Sequence, residues 1–368
     1  MKKVFVFICI AFLLSSCYNQ ELAIKGITGY DSRLLENGDG LPITAINITK
    51  LVPDSTTVLG IPQKVIVGDD FILVQDENKL VCYDTTGRNG RIVGKYGHGK
   101  GEFIRLSSFC LNPDNTVSML DSYKEKIVIY GLDGKFKEEK EAGNSLKYTQ
   151  LMSFVNEDSM VVCNYVYNEH NKVLGIYNQN ERKYNEMAST HLKSDNVMMP
   201  IGLHPYSIYK NSIKYVLPFD NKIYDAAGNC VYEFQTKKNR LKETVQDKIK
   251  DFDIMTYANV LNNGGFLGFS DIFETEHYII AACKNIDYVL LNKQNDKCTH
   301  FDYQLKENLQ KFPLLNIVTS KGNTVYGIVN SIELEKVKKF NQQNQALKKL
   351  MSYKNDKDVY LLISYTLD

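Results

Sequence analysis

Four tyrosines recur at one fixed interval along the chain, and this repeat constrains the fold more than any other feature. They stand 47 residues apart, at Tyr83, Tyr130, Tyr177 and Tyr224. Each ends a run of β-branched and apolar residues and opens a turn, with Gly four residues later at Gly87, Gly134 and Gly228 and with Glu181 in the third repeat. Short strands repeating at this period are typical of a β-propeller, in which each repeat forms one blade.

The other β-type runs complete the blades if the tyrosine run is the third of four strands, a to d. These runs are five to nine residues long and end at Asp, Asn or Gly, which suit tight hairpins. Six blades result over residues 41–368, but the last lacks a fourth strand. The run that starts at Ile43 is expected to supply it and close the ring, leaving fewer open edges. The sequence therefore predicts an all-β, six-bladed propeller of four-stranded blades.

Two stretches with helical periodicity interrupt the strands and predict helical insertions. The first, about 238–258, carries an apolar stripe made of Leu241, Val245, Ile249 and Phe252. The second, 331–357, places Val337, Phe340, Leu347, Leu350 and Met351 on one helical face. Such a stripe more often packs against the domain than forms a partner surface.

The N-terminus predicts export and a lipid anchor. Lys2 and Lys3 precede an apolar stretch of about ten residues, which fits a secretory signal and is too short to span a bilayer. The sequence Leu-Ser-Ser-Cys that ends at Cys17 resembles the lipobox of bacterial lipoproteins. This resemblance implies cleavage after residue 16 and lipidation of Cys17, with several acyl chains giving a firm anchor. The alternative is a secreted protein with an incidental cysteine at this position.

Residues 18–40 are expected to form a tether between this anchor and the domain. Only Glu21 is acidic near Cys17, so the acidic tag of some surface lipoproteins is not evident. We therefore expect an outer-membrane lipoprotein on the periplasmic side, with the cell surface as the alternative. The six remaining cysteines lie mostly in apolar runs, where thiols are expected to be free and buried. The alternative is that some form disulfides, which an export compartment permits, although the sequence sets no pair.

Charge excludes one class of partner. The formal net charge of the chain is +1, and no basic block alternates with aromatic residues. Nucleic acid is therefore not an expected partner.

One loop carries a family resemblance. The segment KYGHGKGEF at 95–103 resembles the glycine-rich signature of NHL-like propellers and of TolB-like six-bladed propeller lipoproteins of Bacteroidota. The strand, turn and strand pattern that follows is similar to the same families, and the resemblance extends over 61–137. It implies the propeller fold and an envelope location but no particular activity, because most of these lipoproteins have no assigned function. The usual proline of the loop is Lys100 here.

The glycines of this loop are expected to be structural. A phosphate-binding loop of the Walker type needs Gly-Lys-Ser/Thr leading into a helix, whereas this segment leads into a strand. We predict a structural turn made by Gly97, Gly99, Gly101 and Glu102. No zinc spacing, H-x-x-H pair or G-x-S-x-G elbow occurs in the sequence, and no catalytic residue is predicted.

The connections between strands of a propeller alternate between two faces. We call the face with the d-to-a and b-to-c connections the loop face, and the face with the a-to-b and c-to-d turns the hairpin face. The glycine loop and both insertions fall on the loop face, where long loops favour binding. The candidate ligand residues, which enter the innermost strands there, are Gln63, Arg105, Tyr148, His204, Tyr206 and Asn316.

These residue types suit recognition. Arg105 would bind a carboxylate or phosphate, and the tyrosines would stack on sugars or peptides. The alternative is that the six residues only seal and solvate the channel.

Three functions are compatible with these features. The first is a non-catalytic binding module for a peptide, a glycan or a partner protein, with no cofactor. The second is a calcium-dependent hydrolase of the lactonase or esterase type, with Asn316 as a possible contributor to the ion site. The third is a purely structural envelope lipoprotein.

Overall fold

The computed structural model describes most of the predicted propeller. The described residues are 36–37, 41–77, 79–164, 172–189, 202–217, 220–234, 268–283, 287–302, 316–337, 345–356 and 359–368. The predicted signal sequence, Cys17 and the first helical insertion lie outside them.

The strands are short and follow one another through tight turns. The first ten are β1 (Glu36–Asn37), β2 (Ile43–Leu51), β3 (Pro62–Val67), β4 (Phe71–Asp76), β5 (Lys79–Asp84), β6 (Arg91–Val93), β7 (Leu106–Leu111), β8 (Thr116–Asp121), β9 (Lys126–Gly131) and β10 (Phe136–Glu141). A 3₁₀ turn at Asn144–Leu146 precedes the next eight. These are β11 (Thr149–Phe154), β12 (Ser159–Asn164), β13 (Lys172–Asn178), β14 (Lys183–Ser189), β15 (Tyr206–Tyr209), β16 (Ser212–Val216), β17 (Lys222–Asp225) and β18 (Cys230–Glu233).

The remaining elements include the helical segments. The strands are β19 (Phe269–Glu274), β20 (Tyr278–Cys283), β21 (Asp287–Asn292), β22 (Cys298–Asp302), β23 (Ile317–Lys321), β24 (Thr324–Asn330) and β25 (Tyr360–Leu367). Between β24 and β25 lie a 3₁₀ helix at Ser331–Val337 and the α-helix α1 at Gln345–Ser352.

The strands form six antiparallel blades in a ring, as predicted. Blades one to five run in chain order, from β3–β6 in blade one to β19–β22 in blade five. The first strands of neighbouring blades contact one another around a central channel, as β7 does with β11 and β23 with β3. The residues that define this ring are therefore the inner strands β3, β7, β11, β15, β19 and β23.

Blade six closes the ring with the N-terminal strand. Its order is β23, β24, β25 and then β2, with Ile43 opposite Leu367 and Leu51 opposite Tyr360. The predicted closure is confirmed. The two-residue strand β1 lies within the predicted tether and adds a parallel fifth strand to blade five, with Glu36 opposite Thr299.

The hydrophobic core is divided into six clusters, one at each junction between neighbouring blades. Between blades one and two, for example, Leu73, Leu80 and Val93 pack against Phe109 and Met119. The cluster between blades six and one is completed by Leu51 of the closing strand β2, which is 1% exposed. Each blade thus buries both faces only because it has a neighbour on each side.

The helix α1 packs on blade six. Its side chains Leu347 and Leu350 are buried in the cluster between blades five and six, and Met351 packs against the same cluster. Leu334, from the preceding 3₁₀ helix, is buried there as well. These four apolar side chains of the insertion therefore belong to the core, whereas Phe340 lies outside the described residues.

The repeated tyrosines fix the connections between blades. The hydroxyls of Tyr83 and Tyr177 donate to the backbone oxygens of Thr57 (3.2 Å) and Ala142 (3.1 Å). Tyr130 donates in the same way to the oxygen of Gly101. Each acceptor lies in the d-to-a connection that leads from the preceding blade into the blade that contains the donating tyrosine. The 47-residue interval therefore repeats a hydrogen bond between a blade and its own entry loop.

Blade four departs from this pattern. The hydroxyl of Tyr224 lies 2.5 Å from Asp220 Oδ2, and its ring stacks on Tyr215 with 5.3 Å between centroids. Tyr215 instead donates to the oxygen of Met187 in blade three, at 3.3 Å. A tyrosine of blade four thus still bonds to the chain before that blade, but it comes from β16 instead of β17, and its acceptor lies in strand β14 instead of in the entry loop.

We expect Tyr130→Phe to lower the free energy of unfolding by about 1–2 kcal/mol, because the buried oxygen of Gly101 loses a donor. Tyr123→Phe is the matched control, since Tyr123 is 72% exposed and should change stability by less than about 0.5 kcal/mol. Denaturant unfolding measures both values. Equal effects of the two substitutions would show that the repeated hydroxyl is not a structural tie.

Candidate functional site

The two faces of the ring differ in the apolar side chains that they expose. Among the described residues, nine large apolar side chains are exposed, and eight of them lie in connections of the loop face. These eight are Val52, Val58, Ile61, Tyr96, Tyr123, Tyr148, Leu203 and Ile332. The ninth, Phe136, is the first residue of β10. In the described part of the ring, the exposed apolar side chains thus lie mostly in connections of the loop face, although Val52, at the start of its connection, donates its N–H to the oxygen of Gly87 in the c-to-d turn of blade one.

Three of these side chains form what we call the tyrosine surface, made of Tyr96, Tyr123 and Tyr148. They are 65%, 72% and 45% exposed. Hydrogen bonds join the connections that carry Tyr96 and Tyr123, because Lys124 Nζ donates to the oxygens of Gly97 (3.0 Å) and Glu102 (2.8 Å).

The connection of Tyr148 lies beside them. Lys147 Nζ is 3.9 Å from Glu125 Oε1 and 6.0 Å from the centre of the Tyr148 ring. Glu125 follows directly in the turn of Tyr123 and Lys124. The three tyrosines therefore occupy three adjoining connections around blade two.

The glycine loop supports this surface as a closed turn. Glu102 Oε2 accepts the N–H of Gly99 at 2.8 Å, and Lys95 Nζ pairs with the same carboxylate at 2.6 Å. The hydrogen bond and charge of Lys95 lower the pKa of Glu102. Gly97 has a φ of 154°, and a Cβ there would stand 2.2 Å from the Glu102 carboxylate. A side chain at this position would displace the Glu102 carboxylate, and the positive φ also disfavours any residue other than glycine.

A cavity of about 300 Å³ occupies the central channel. Residues from all six blades line it, including Ile66 of β3, Leu111 of β7 and Phe154 of β11. These three lie at or next to the last residue of their inner strands. The cavity therefore reaches toward the hairpin face, and Leu203 and His204, from the d-to-a connection before blade four, line it as well.

Lys64 provides a positive charge in this cavity. Its side chain is buried, with the residue 8% exposed, and Nζ donates to the oxygens of Phe109 (2.7 Å) and Met152 (2.6 Å). Nζ also lies 3.4 Å from Ser153 Oγ. Burial lowers the pKa of Lys64 to about 8, although the Cys110 thiol opposes this shift. The ammonium form thus still predominates at neutral pH.

Two hydroxyls lie beside this ammonium group. Tyr206 OH and Ser153 Oγ are 3.0 Å apart, and both residues line the cavity. Burial raises the pKa of Tyr206, so its phenol stays protonated.

His204 contributes a buried ring nitrogen. Its Nε2 is shielded from solvent and has no hydrogen-bond partner among the described residues. Its backbone N–H donates to Asp271 Oδ1 at 2.7 Å, and its ring contacts Phe273. Burial lowers the pKa of His204 to about 4, and the nearby Asp271 carboxylate only partly opposes this shift. The imidazole is therefore neutral at physiological pH.

The six candidate ligand residues that the sequence suggests do not form one site in the structure. His204 and Tyr206 line the cavity. Arg105, Tyr148 and Asn316 are exposed on the loop face, and Gln63 is half-buried, with its Oε1 3.5 Å from Gln75 Nε2. Any ligand role for these residues stays a prediction.

Lys64 and Ser153 are absent from the sequence-derived set, and backbone geometry explains why. Lys64 follows a β-bulge, since the register between β3 and β4 shifts between Pro62 and Lys64. A bulge changes which side chains of a strand face the channel. Similar shifts occur near the start of β7, β11, β19 and β23. The feature of the sequence that could have identified Lys64 is a charged residue inside the β-type run PQKVIV.

Two further structural findings bear on function. Among the described residues, no group of three His, Cys, Asp or Glu side chains could hold a metal ion. The calcium-dependent alternative stays a prediction. None of the helices in the described ranges combines the length and apolar character of a membrane-spanning segment.

Comparison with known proteins gives a family and a fold. The model of the family described as "Domain of unknown function (DUF4934)" matches residues 54–364, a range that leaves out the closing strand β2. No curated protein matches the sequence.

Two solved structures from Bacteroides are similar. A protein of Bacteroides fragilis, described as exported, is 16% identical with a TM-score of 0.69, and the match covers 90% of this chain and 98% of that one. A DUF4221 family member from Bacteroides vulgatus is 9% identical with a TM-score of 0.55, covering 89% and 98%. At these identities the similarity shows the fold alone.

We expect the buried ammonium of Lys64 to make stability depend on pH. Its pKa is about 8 in the folded chain and near 10.5 when unfolded, so the unfolded state binds more protons between these values. The free energy of unfolding gains about 1–2 kcal/mol from this group between pH 8 and 9.5. Unfolding of the native chain and of Lys64→Met at both pH values isolates this contribution. An identical pH dependence of the two proteins would contradict it.

Proposed function

The chain belongs to the DUF4934 family, whose description gives no function, and we propose that it is an envelope binding module. In this proposal Cys17 carries the lipid anchor, and the loop face binds a partner protein without catalysis. The similarity in fold to an exported protein of Bacteroides fragilis supports the envelope location.

The observation that carries this proposal is the one-sided exposure of apolar side chains. Eight of the nine exposed large apolar side chains in the described residues lie on the loop face. A contiguous exposed apolar patch is typical of an interaction site, and the adjoining connections of the tyrosine surface bring three of these side chains to one region. Tyrosine and arginine are enriched in interfaces, and Arg105 is exposed on the same face as the tyrosine surface.

The spread of these side chains favours a protein as the partner. They belong to the connections of several blades, from Ile61 before blade one to Leu203 before blade four and Ile332 within blade six. A sugar ring stacks on aromatic side chains, but aliphatic residues offer no such surface. A glycan is the alternative that the experiment distinguishes.

The point at which the N-terminal segment joins the ring supports a loop face that is directed away from the membrane. Ile43 begins β2 opposite Leu367, and the N–H of Asp368 donates to the oxygen of Pro42 at 3.1 Å. Leu367 in turn lies beside the a-to-b hairpin of blade six, where its N–H donates to the oxygen of Asn323. A tether that reaches Cys17 from this side would leave the loop face directed away from the membrane.

We expect a photo-cross-linking amino acid at Tyr123 or Tyr148 to form a discrete protein adduct in the native bacterium. The matched control is the same amino acid at Glu157, an exposed position in the a-to-b turn of blade three on the hairpin face. Electrophoresis and mass spectrometry of the purified adducts give the readout.

Three outcomes are informative. A protein adduct from both tyrosine positions, weakened by Tyr96→Ala and absent at Glu157, is the expected result. No adduct at the tyrosine positions, or the same adduct on both faces, would refute the loop-face interaction. Retention on immobilised envelope glycan, lost in Tyr96→Ala, would replace the protein partner with a sugar.

A further inference from the structure

The ammonium group of Lys64 lacks an acidic partner. Among the described residues, its hydrogen bonds go only to the uncharged oxygens of Phe109, Met152 and Ser153. Buried charges in proteins are usually paired with an opposite charge. Lys64 is therefore a buried cation whose charge is balanced by no direct contact in the described part of the chain.

One N–H of Lys64 is only weakly used. An ammonium group has three donors, and two of them make short bonds of 2.7 and 2.6 Å to backbone oxygens. The third has the long 3.4 Å contact with Ser153 Oγ, and Nζ also lies 5.2 Å from the centre of the Phe109 ring. This N–H is free to bind an oxygen atom that enters the cavity.

The pair Ser153 and Tyr206 supplies a second donor at the same place. Their hydroxyl oxygens are 3.0 Å apart, so one hydroxyl donates to the other. Whichever of them donates, the proton of the other hydroxyl has no acceptor among the described residues. Two hydrogen-bond donors, one of them charged, thus converge beside Ser153.

The rest of the cavity wall is mixed, with apolar side chains beside Ser207, Thr319 and Ser320. Ile66, Leu111, Phe154, Ile272 and Val318 line the cavity together with the polar groups. Its volume of about 300 Å³ is at the lower end of the range for small-molecule sites. The apolar part of the wall suits a hydrocarbon chain or a ring.

From this arrangement we propose that the channel cavity binds a small carboxylate with an apolar body. One carboxylate oxygen accepts hydrogen bonds from Lys64 Nζ and from the hydroxyl pair Ser153–Tyr206. The buried Nε2 of His204 is available to a further polar atom of the ligand. The groups proposed to bind the carboxylate, Lys64, Ser153 and Tyr206, lie inside the channel and do not belong to the tyrosine surface, so the two interactions are tested with different variants.

The other titratable groups discussed around the cavity carry no positive charge at neutral pH. Lys64 is therefore the cation that a ligand in the cavity would meet. His204 is neutral because its pKa is about 4, and burial raises the pKa of the Cys110 thiol to about 12. Asp271 is the nearby anion, and its carboxylate already accepts the N–H of His204 and the hydroxyl of Ser270 at 2.6 Å. Burial also keeps the Tyr206 phenol protonated.

Calorimetric titration of the purified full chain with hexanoate and with hexanamide tests this proposal. The two probes share a hydrocarbon body, so the amide controls for apolar binding. We expect hexanoate to bind at least tenfold more tightly, because only the carboxylate pairs with the ammonium group. Lys64→Met and Ser153→Ala should each weaken hexanoate binding at least tenfold, and the affinity of the native chain should fall between pH 7 and 9.5.

The controls separate this proposal from the loop-face interaction. Tyr123→Ala should leave hexanoate binding unchanged, and Ser153→Ala should leave the cross-links at Tyr148 unchanged. If Lys64→Met does not fold, Ser153→Ala and Tyr206→Phe with the pH series decide the question. Equal binding of the two probes, no binding of either, or full binding by Ser153→Ala would overturn the carboxylate site.

Discussion

Apolar packing between neighbouring blades is the constraint on which this structure depends. Each four-stranded sheet is apolar on both faces, and each of the six core clusters belongs to two blades. A blade by itself would leave these faces in water, so the chain gains stability only as a ring. The channel, its cavity and the two distinct faces are consequences of this closure. The repeated tyrosines add directional hydrogen bonds at the blade entries, where apolar packing alone would not fix the backbone.

The sequence predicts the architecture well because the relevant signals are local and repeated. The interval between the tyrosines, the turn residues after them and the alternation within strands all report on a single blade. The missing fourth strand of blade six and the spare strand at Ile43 then identify the closure. Positive φ values at Gly87, Gly134 and Gly228 account for the glycines that follow three of the tyrosines.

The cavity was less predictable because it depends on contacts between blades. Lys64, Ser153 and Tyr206 come from three inner strands, and no sequence interval relates them. The bulge before Lys64 changes the direction of the following side chains, and a period-two pattern does not reveal it. The sequence did suggest His204 and Tyr206 from their position near an inner strand. It grouped them with Arg105 and Asn316 on the loop face, because strand direction alone does not give the depth of a side chain in the channel.

Closure by β2 also determines when the domain can finish folding. Thr44 Oγ1 donates to the oxygen of Thr366, a contact between residues 322 positions apart. During synthesis, β2 emerges before blades one to five and its partner β25 after them, so β2 must remain unpaired while these five blades form. Contacts of this sequence separation slow folding and leave a strand edge open to wrong partners. The ring is thus expected to close only after β25 has been synthesised, which makes the protection of one short segment the critical step in its assembly.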